Sequence, residues 1–349
     1  LFFFLQSWDW LVQAASCFLL SWIVCLLVIF KGPRDIPTER SSHTRPTARG
    51  GGLGIVLAWL LGLWFLSFNG VAFWDMYVIW WAFSFMCLLM GAIGFCDDVR
   101  PMSAISRLML QFLVAAFFLG LGSTIHIVSL PYVGYVSLGF LAIPLSFFWL
   151  VGLVNAFNFF DGLNGLCGGT SFIGSLFLAL IAWHHGDFFL LEVSVFFAAA
   201  CLGFLVLNFP KPFVFLGDGG AYFFGAFWGG LTLIYSYPAS EVPFWTFPLL
   251  FFLPLCDVSL TIVRRYLKQK PIFTPHREYH MLLLRQLGWS HHKITLLYWG
   301  FGFIQGVLAY YIQEGTPDTH LFYFLPLIIV AALFFPWVLK KARQQGLDP

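Results

Sequence analysis

Charge is confined to a few short stretches of this chain, and that confinement limits its possible folds more than any other feature. Eleven runs, 8–30, 51–68, 76–96, 108–122, 140–157, 168–183, 188–207, 219–235, 243–263, 294–312 and 321–339, carry almost no charged side chain. A bilayer hydrocarbon core is about 30 Å thick and is crossed by roughly 20 helical residues. The shorter runs reach that length when loop residues complete their ends. The chain is 60% hydrophobic and only 10% charged, against about 25% charged in an ordinary soluble domain, too little to cover a water-facing surface of this size. The predicted fold class is therefore an all-α polytopic membrane protein with about eleven transmembrane helices, forming a single integral-membrane domain over residues 1–349. This excludes a nucleic-acid binder built on a basic patch, a secreted disulfide scaffold and a disordered chain. The seven cysteines lie in or beside apolar runs without a CxxC pair and read as buried small hydrophobes. The first run is too long for a cleaved leader and has no basic segment before it, so it reads as a span.

Orientation follows from the basic residues. If the N-terminus lies outside and the chain crosses eleven times, all 18 Lys and Arg fall in inside segments and none outside, as cytoplasmic loops favour. Removing or adding one helix destroys that segregation, so count and orientation support each other. The C-terminus is then cytoplasmic. Outside, only Ser123–Gly139 is long, and its alternation of apolar and small residues predicts a hairpin. Inside, Lys31–Gly50 reads as an irregular segment. Arg264–Lys293 reads as a long loop with His276, His280, His291 and His292 toward its far end.

Five polar clusters fall on this inner face. Asp97 and Asp98 are adjacent carboxylates that need a cation, a metal or a raised pKa to coexist. The run Asn155–Leu166 brings Asn155, Asn158 and Asp161 to a helix terminus, with helical spacing placing Asn158, Asp161 and Gly165 near one face. Asp218 precedes Gly219 and Gly220 at the start of a helix, where glycines and a helix N-terminus suit an approaching phosphate. His276 and Arg277 are adjacent, and arginine forks bidentately onto phosphate oxygens. Arg40–Gly52 supplies hydroxyls, guanidiniums including Arg45 and Arg49, and three glycines. Each cluster has a bland reading: a solvated helix end, a cap or positive-inside ballast. Together they combine hard oxygen ligands suited to Mg²⁺ with cations suited to a diphosphate, and so point to phosphoryl transfer at the inner membrane surface. Asp257, deep in a late helix, is expected to pair with Arg264 or Arg265 two turns on.

At these residues the sequence resembles the polyprenyl-phosphate N-acetylhexosamine-1-phosphate transferases. This superfamily (glycosyltransferase family 4) includes the bacterial enzymes that begin O-antigen, enterobacterial common antigen and teichoic-acid linkage synthesis, and the peptidoglycan translocase. RSSHTRPTARGGG, GFCDDVRPMSAISRLMLQ, NAFNFFDGLNGL, FLGDGGAYFFG and PHREYH occur in family order across nearly the whole chain. The resemblance implies a bacterial inner-membrane enzyme with a cytoplasmic site. It further implies Mg²⁺ with Mn²⁺ as a substitute, a UDP-N-acetylhexosamine donor, undecaprenyl phosphate as acceptor and UMP as the released product. It assigns Asp97 and Asp98 to the acceptor phosphate or metal, and Asn155, Asn158 and Asp161 to the nucleotide and catalytic site. Asp218 becomes a metal ligand, Arg107 a basic residue after the aspartate pair, and His276 with Arg277 the diphosphate-contacting loop. Arg45 and Arg49 join the substrate-binding set, and a homodimer is the candidate assembly.

Two departures stand out. Asn164 replaces an aspartate that many members carry, and the PHREYH loop lacks the histidine run of the common-antigen enzymes and the translocase. This loop is closer to the O-antigen-initiating branch, which uses modified sugars such as N-acetylfucosamine or N-acetylquinovosamine, so N-acetylglucosamine is one candidate among several. The translocase is the alternative within the class. A proton-coupled secondary transporter is the alternative outside it, although transporters bind near the bilayer midplane whereas these acids gather at one surface. Orientation can be checked by cysteine-accessibility labelling in a cysteine-free background. Residues placed near Lys211 and Arg277 should label only from the inside, and outside labelling of either would overturn the topology.

Overall fold

The structure is a computed structural model that describes residues 2–37, 45–68, 74–236, 240, 242–271 and 276–347. Every apolar run lies in helix. The first eight form α1 (Phe2–Lys31), α2 (Gly52–Phe68), α3 (Trp74–Val99), α4 (Ala104–Gly120), α5 (Ala142–Phe160), α6 (Leu166–His185), α7 (Phe188–Asn208) and α8 (Gly217–Tyr235). The ninth run is divided at Phe251 into α9 (Thr246–Leu250) and α10 (Phe252–Leu267). Pro254 lies just inside α10 and has no N–H with which to continue the ladder back to Leu250. A short α11 (His280–Gln286) precedes α12 (His291–Tyr311) and α13 (Leu325–Gln344). Among the described residues, seven helices, those of α1, α3, α5, α6, α7, α12 and α13, are long and apolar enough to cross a membrane by themselves. The remaining predicted spans, α2, α4, α8 and the divided α9–α10, belong to the same bundle without meeting that standard alone.

The core is organised around α8, which is buried almost without interruption from Gly220 to Leu233 and packs against α2, α3 and α5. A helix apolar on every side must be enclosed by other helices, and the glycines of α8 let them come close. A Cβ on Gly225 would overlap the backbone of Val154 in α5, and one on Gly52 of α2 would overlap the backbone of Gly220. Aromatic rings fill the upper half: Phe227 stacks on Phe197 with centroids 3.8 Å apart and meets Trp59 edge-on.

Five short strands join the connections. β1 (Arg34–Asp35) pairs antiparallel with β2 (Thr47–Arg49), and β2 pairs parallel with β5 (Val214–Phe215). This sheet joins the segment before α2 to the residues that lead into α8. The expected hairpin forms at the other end of the bundle, as β3 (Ile127–Leu130) and β4 (Gly134–Ser137). There Ser129 accepts a hydrogen bond from Trp245 through its carbonyl, at 2.7 Å, and its hydroxyl pairs with buried His320 Nδ1 at 2.7 Å. The connections thus gather at two opposite ends, as an up-and-down bundle requires.

Three local expectations need correction. Residues 264–293 are not one loop: α10 runs to Leu267 and α11 is an added helix, because 280–286 has an apolar face that buries Met281, Leu283 and Leu284. Asp161 and Gly165 do not share a helix face with Asn158, since α5 ends at Phe160 and Gly165 lies beyond it at φ +71°. Cys96 is exposed, unlike the five buried cysteines.

The packing argument is testable with two glycines. Gly225→Ala should destabilise the protein by about 1–3 kcal/mol, the usual cost of overpacking. Gly152→Ala on α5, where a Cβ meets nothing, should be neutral or slightly stabilising, because alanine is the better helix former. Thermal unfolding in detergent compares the two; equal behaviour would refute close packing at α8.

Candidate active site

Three helix ends and β2 converge at the end of the bundle that carries the basic residues. Asp98, in the last turn of α3, accepts the first amides of α8: Asp218 N reaches its Oδ1 at 3.0 Å and Gly219 N its Oδ2 at 3.1 Å. Helix N-terminal amides lack intrahelical partners, and a carboxylate is their best cap. Arg49, delivered by β2, bridges Asp98 Oδ1 at 2.6 Å and Asp218 Oδ1 at 2.9 Å. From α5, Asn158 Nδ2 donates to the same Asp218 Oδ1 at 3.0 Å. Burial works against the Arg49 charge, but Asp218, Asp98 and Asp35 outweigh it and hold its pKa above the ordinary value.

Of these groups Asp98 and Asn158 hold Arg49 and Asp218 from behind, and the latter two line a cleft of about 380 Å³. Its floor carries Asp161, Gly162 and Asn164, and its far wall carries His276, Arg277, Arg285 and Gln286. Among the described residues no hydrogen bond or ion pair reaches the Asp161 carboxyl. Burial pushes its pKa up to about 8, helped by Asp218 and Asp98 and opposed by Arg49. The His276 imidazole is pushed down to about 4 by burial and then by Arg265, with Arg264 and Lys270 adding and Glu278 opposing. It is therefore neutral at pH 7, and Arg277 carries the charge of this loop.

The structure sorts the sequence candidates into three groups. Arg49, Asp161, Asp218, His276 and Arg277 line the cleft together, and Asn158 touches it through Asp218. Asp97, Arg107 and Asn155 stand behind. Asp97 accepts Arg107 Nη1 at 2.8 Å and Met102 N at 2.6 Å, which fixes the turn between α3 and α4. Asn155 donates to Gln111 of α4 at 2.7 Å and acts as a helix-to-helix strut, away from the cleft lining. Arg45 is exposed and outside the lining, and residues 40–44 of its motif lie outside the described residues. Asp98 belongs to a separate, mostly apolar cleft of about 210 Å³ between α2, α3 and α8.

Two further expectations change. The α8 amides at Asp218 and Gly219 are occupied by Asp98 and do not await a phosphate. Of the three glycines around Asp218, only Gly217 faces the cleft, while Gly219 and Gly220 serve packing against α3 and α2. Asp35, Arg285 and Gln286 were missed by the sequence reading. Arg285 and Gln286 would have been found had the apolar face of α11 been recognised.

The glycosyl transferase family 4 model matches residues 80–236, the stretch that holds Asp97, Asp98, Asn158, Asp161 and Asp218. A decaprenyl-phosphate N-acetylglucosaminephosphotransferase of Mycobacterium tuberculosis is 30% identical over 289 residues, covering 75% of this chain and 71% of the relative. The chain belongs to the polyprenyl-phosphate sugar-1-phosphate transferases. A Bacillus subtilis relative, named a probable undecaprenyl-phosphate N-acetylglucosaminyl 1-phosphate transferase, is 29% identical over 91% of this chain and 88% of its own length. A phospho-N-acetylmuramoyl-pentapeptide-transferase of Staphylococcus aureus is 28% identical over 65% of this chain and 74% of its own. Family membership makes this membrane protein a phosphotransferase enzyme and sets the transporter reading aside.

The crowded carboxylates give a pH signature. Folded Asp161 keeps its proton up to about pH 8, whereas an unfolded aspartate loses it near pH 4. Between those values the unfolded state binds fewer protons, so stability falls as pH rises. In EDTA, the apparent Tm should decline from about pH 5 to about pH 8, and Asp161→Asn should reduce that slope. An unchanged slope would show that Asp161 is not the group responsible.

Proposed function

We propose that this enzyme transfers an N-acetylhexosamine-1-phosphate from a UDP-sugar to undecaprenyl phosphate and releases UMP. The observation that carries this reading is one cleft with carboxylates Asp161 and Asp218 on one side and Arg277 and Arg285 on the other. A diphosphate fits between a metal and a guanidinium fork. The Asp161 carboxyl has no partner among the described residues, and Asp218 faces the same space. This pair suits Mg²⁺, which takes one or two carboxylates and fills its remaining positions with water and phosphate oxygens. Among the described residues no three acidic, histidine or cysteine side chains converge on a metal, so substrate oxygens would complete the shell. When bound, Mg²⁺ (or Mn²⁺) would offset charge on the diphosphate.

The chain's own residues account for the remaining steps. Arg277 and Arg285 bind the donor diphosphate, and neutral His276 offers a hydrogen bond without adding charge. Arg49 holds Asp218 at the angle set by Asp98 and Asn158. An acceptor phosphate oxygen then attacks the phosphorus that carries the sugar, and the bond to the UMP oxygen breaks. The acceptor phosphate is already largely ionised near neutral pH, with a second pKa of about 6, so positioning matters more than proton removal. Asp97 and Asp98 contribute to that positioning by fixing the α3–α4 turn and the start of α8. The setting we infer is a bacterial inner membrane crossed eleven times, with the cleft cytoplasmic, the N-terminus outside and the C-terminus inside.

Asn164 on the cleft floor and the short histidine content of the 276–280 loop support a modified N-acetylhexosamine of the O-antigen type. The Staphylococcus aureus relative favours a second donor, one carrying phospho-N-acetylmuramoyl-pentapeptide. Purified enzyme with undecaprenyl phosphate and a panel of UDP-sugars, including UDP-N-acetylmuramoyl-pentapeptide, separates these by mass of the lipid product. UMP should appear in equal amount with one donor of the panel, and no lipid product with any donor would sink the proposal. Asp218→Asn should lower kcat by about 100-fold or more, in the range seen when charge stabilisation of a transition state is removed. Arg277→Lys should raise the donor KM about tenfold, because a point charge does not reproduce a bidentate fork. Activity undiminished by EDTA would remove the metal from this account.

A further inference from the structure

Asp257 is fully buried in α10, and Arg264 acts on its charge without hydrogen-bonding to it; the expected pairing is replaced by hydrogen bonds from elsewhere. Four donors from other elements satisfy its oxygens. His280 gives both its backbone N–H, at 2.7 Å, and its ring Nδ1, at 2.8 Å, to Oδ1. Met281 N reaches Oδ2 at 3.2 Å and the Tyr298 hydroxyl of α12 donates to Oδ2 at 2.7 Å. The carboxylate is thereby filled, with no oxygen left to face a metal or substrate. His280 is as hidden, 1% exposed, with its ring against Phe335 at 4.4 Å. Its Nε2 faces Arg264 Nη1 at 3.5 Å, a group that can only donate, which makes Nε2 the acceptor and Nδ1–H the donor to Asp257.

The same stretch carries the far wall of the cleft. Tyr279, next to His280, lies against the His276 ring at 4.7 Å and stacks on Phe159 at 5.7 Å. Arg264 Nη2 donates to the Glu278 carbonyl, and Arg265 binds both the Glu278 carboxylate and the Pro271 carbonyl. Gln286 Nε2 holds the Arg277 carbonyl at 2.8 Å. Met281 and Leu282 rest on Gly162, next to Asp161. The segment that carries this wall is therefore held from behind at Arg277, Glu278, His280 and Met281, with Asp257 taking the bonds of the last two.

We propose that Asp257, acting through His280 and seconded by Tyr298, is the positioning residue for the donor-binding wall, and that His280 serves as its partner and does not touch substrate. The inference rests on the cleft being the donor site. A carboxylate is required because its two oxygens accept from four donors. An amide in its place presents N–H to N–H on one side, and buried donors left without partners are costly. Displacement of α11 would spread Arg277 and Arg285 away from Asp161 while leaving Asp98, Arg49 and the apolar cleft between α2, α3 and α8 in place. Donor binding should suffer and acceptor binding should not.

The test uses the full-length protein in detergent, with UDP as the probe because it contains the diphosphate common to every UDP-sugar. Calorimetry gives its Kd, and turnover gives KM for donor and acceptor separately. Wild type should bind UDP. Asp257→Asn and His280→Ala should each weaken UDP about tenfold or more and raise the donor KM in step, with the acceptor KM unchanged within about twofold. His280→Asn, whose side-chain N–H can stand where Nδ1–H stood, should keep the wild-type Kd within about threefold. Tyr298→Phe, which removes one of four donors and no bulk, should give an intermediate loss and serves if Asp257→Asn does not fold. Wild-type UDP affinity in both Asp257→Asn and Tyr298→Phe would overturn the proposal. So would His280→Asn as weak as His280→Ala, which would mean that the imidazole itself contacts substrate, or a parallel rise in acceptor KM, which would mean general loosening. Failure of wild type to bind UDP would instead reject the donor-site reading, and the positioning role with it.

Discussion

A single carboxylate, Asp98, sets the geometry on which the site depends. It is almost entirely hidden, with its side chain 2% exposed, and it spends both oxygens on the first turn of α8 while sharing one with Arg49. A negative charge at a helix N-terminus is stabilised by the partial positive charge there, and the guanidinium supplies the rest. This arrangement fixes three things at once: where α8 starts, which way Asp218 points and where β2 must lie to deliver Arg49. A neutral residue at 98 would leave two helix amides and a guanidinium facing one another.

That constraint acts on a bundle built to tolerate no slack near it. Gly52, Gly91 and Gly94 bring α2 and α3 against the backbone of α8 at the level of Asp218 to Gly220, so the carboxylates stand on a close-packed base, where small shifts are expensive. The opposite wall is different in kind. It is a short helix and a loop, seated by buried Tyr279, Met281, Leu283 and Leu284 and tied by side-chain hydrogen bonds from α10 and α12. The acidic side is thus fixed by backbone-to-backbone packing, and the basic side by hydrogen bonds and a few buried side chains.

The sequence made much of this legible, and the reasons are physical. Helices were readable because apolar runs of membrane length have few alternatives, and the hairpin at 123–139 because its alternation has the period of a strand. Asp161, Asp218, Arg49, His276 and Arg277 were readable because polar groups at one end of such helices need a reason to be there. What a linear reading missed was partnership. Nothing in the order of residues says that Asp98 would cap a helix 120 positions later, or that Asp257 would choose His280 and Tyr298 over the nearer arginines. Asn155 looked substrate-binding because it stands in the same run as Asn158, yet three residues along the helix it is turned toward Gln111. The small helix α11 escaped because seven residues are too few to show a period, and Arg285 and Gln286 escaped with it.

The parallel pairing of β2 with β5 also dictates an order of assembly. Arg49 leaves the ribosome before either carboxylate it bridges, and β2 must wait for 214–215 before it has a partner in that ladder. The carboxylates of 97, 98, 161 and 218 follow in turn, and 276–286 comes after all of them. Between the emergence of 218 and that of 276–286 the nascent chain therefore has its carboxylates and Arg49 but no facing wall. The cleft lining is completed only by 276–286, which belongs to the last third of the chain.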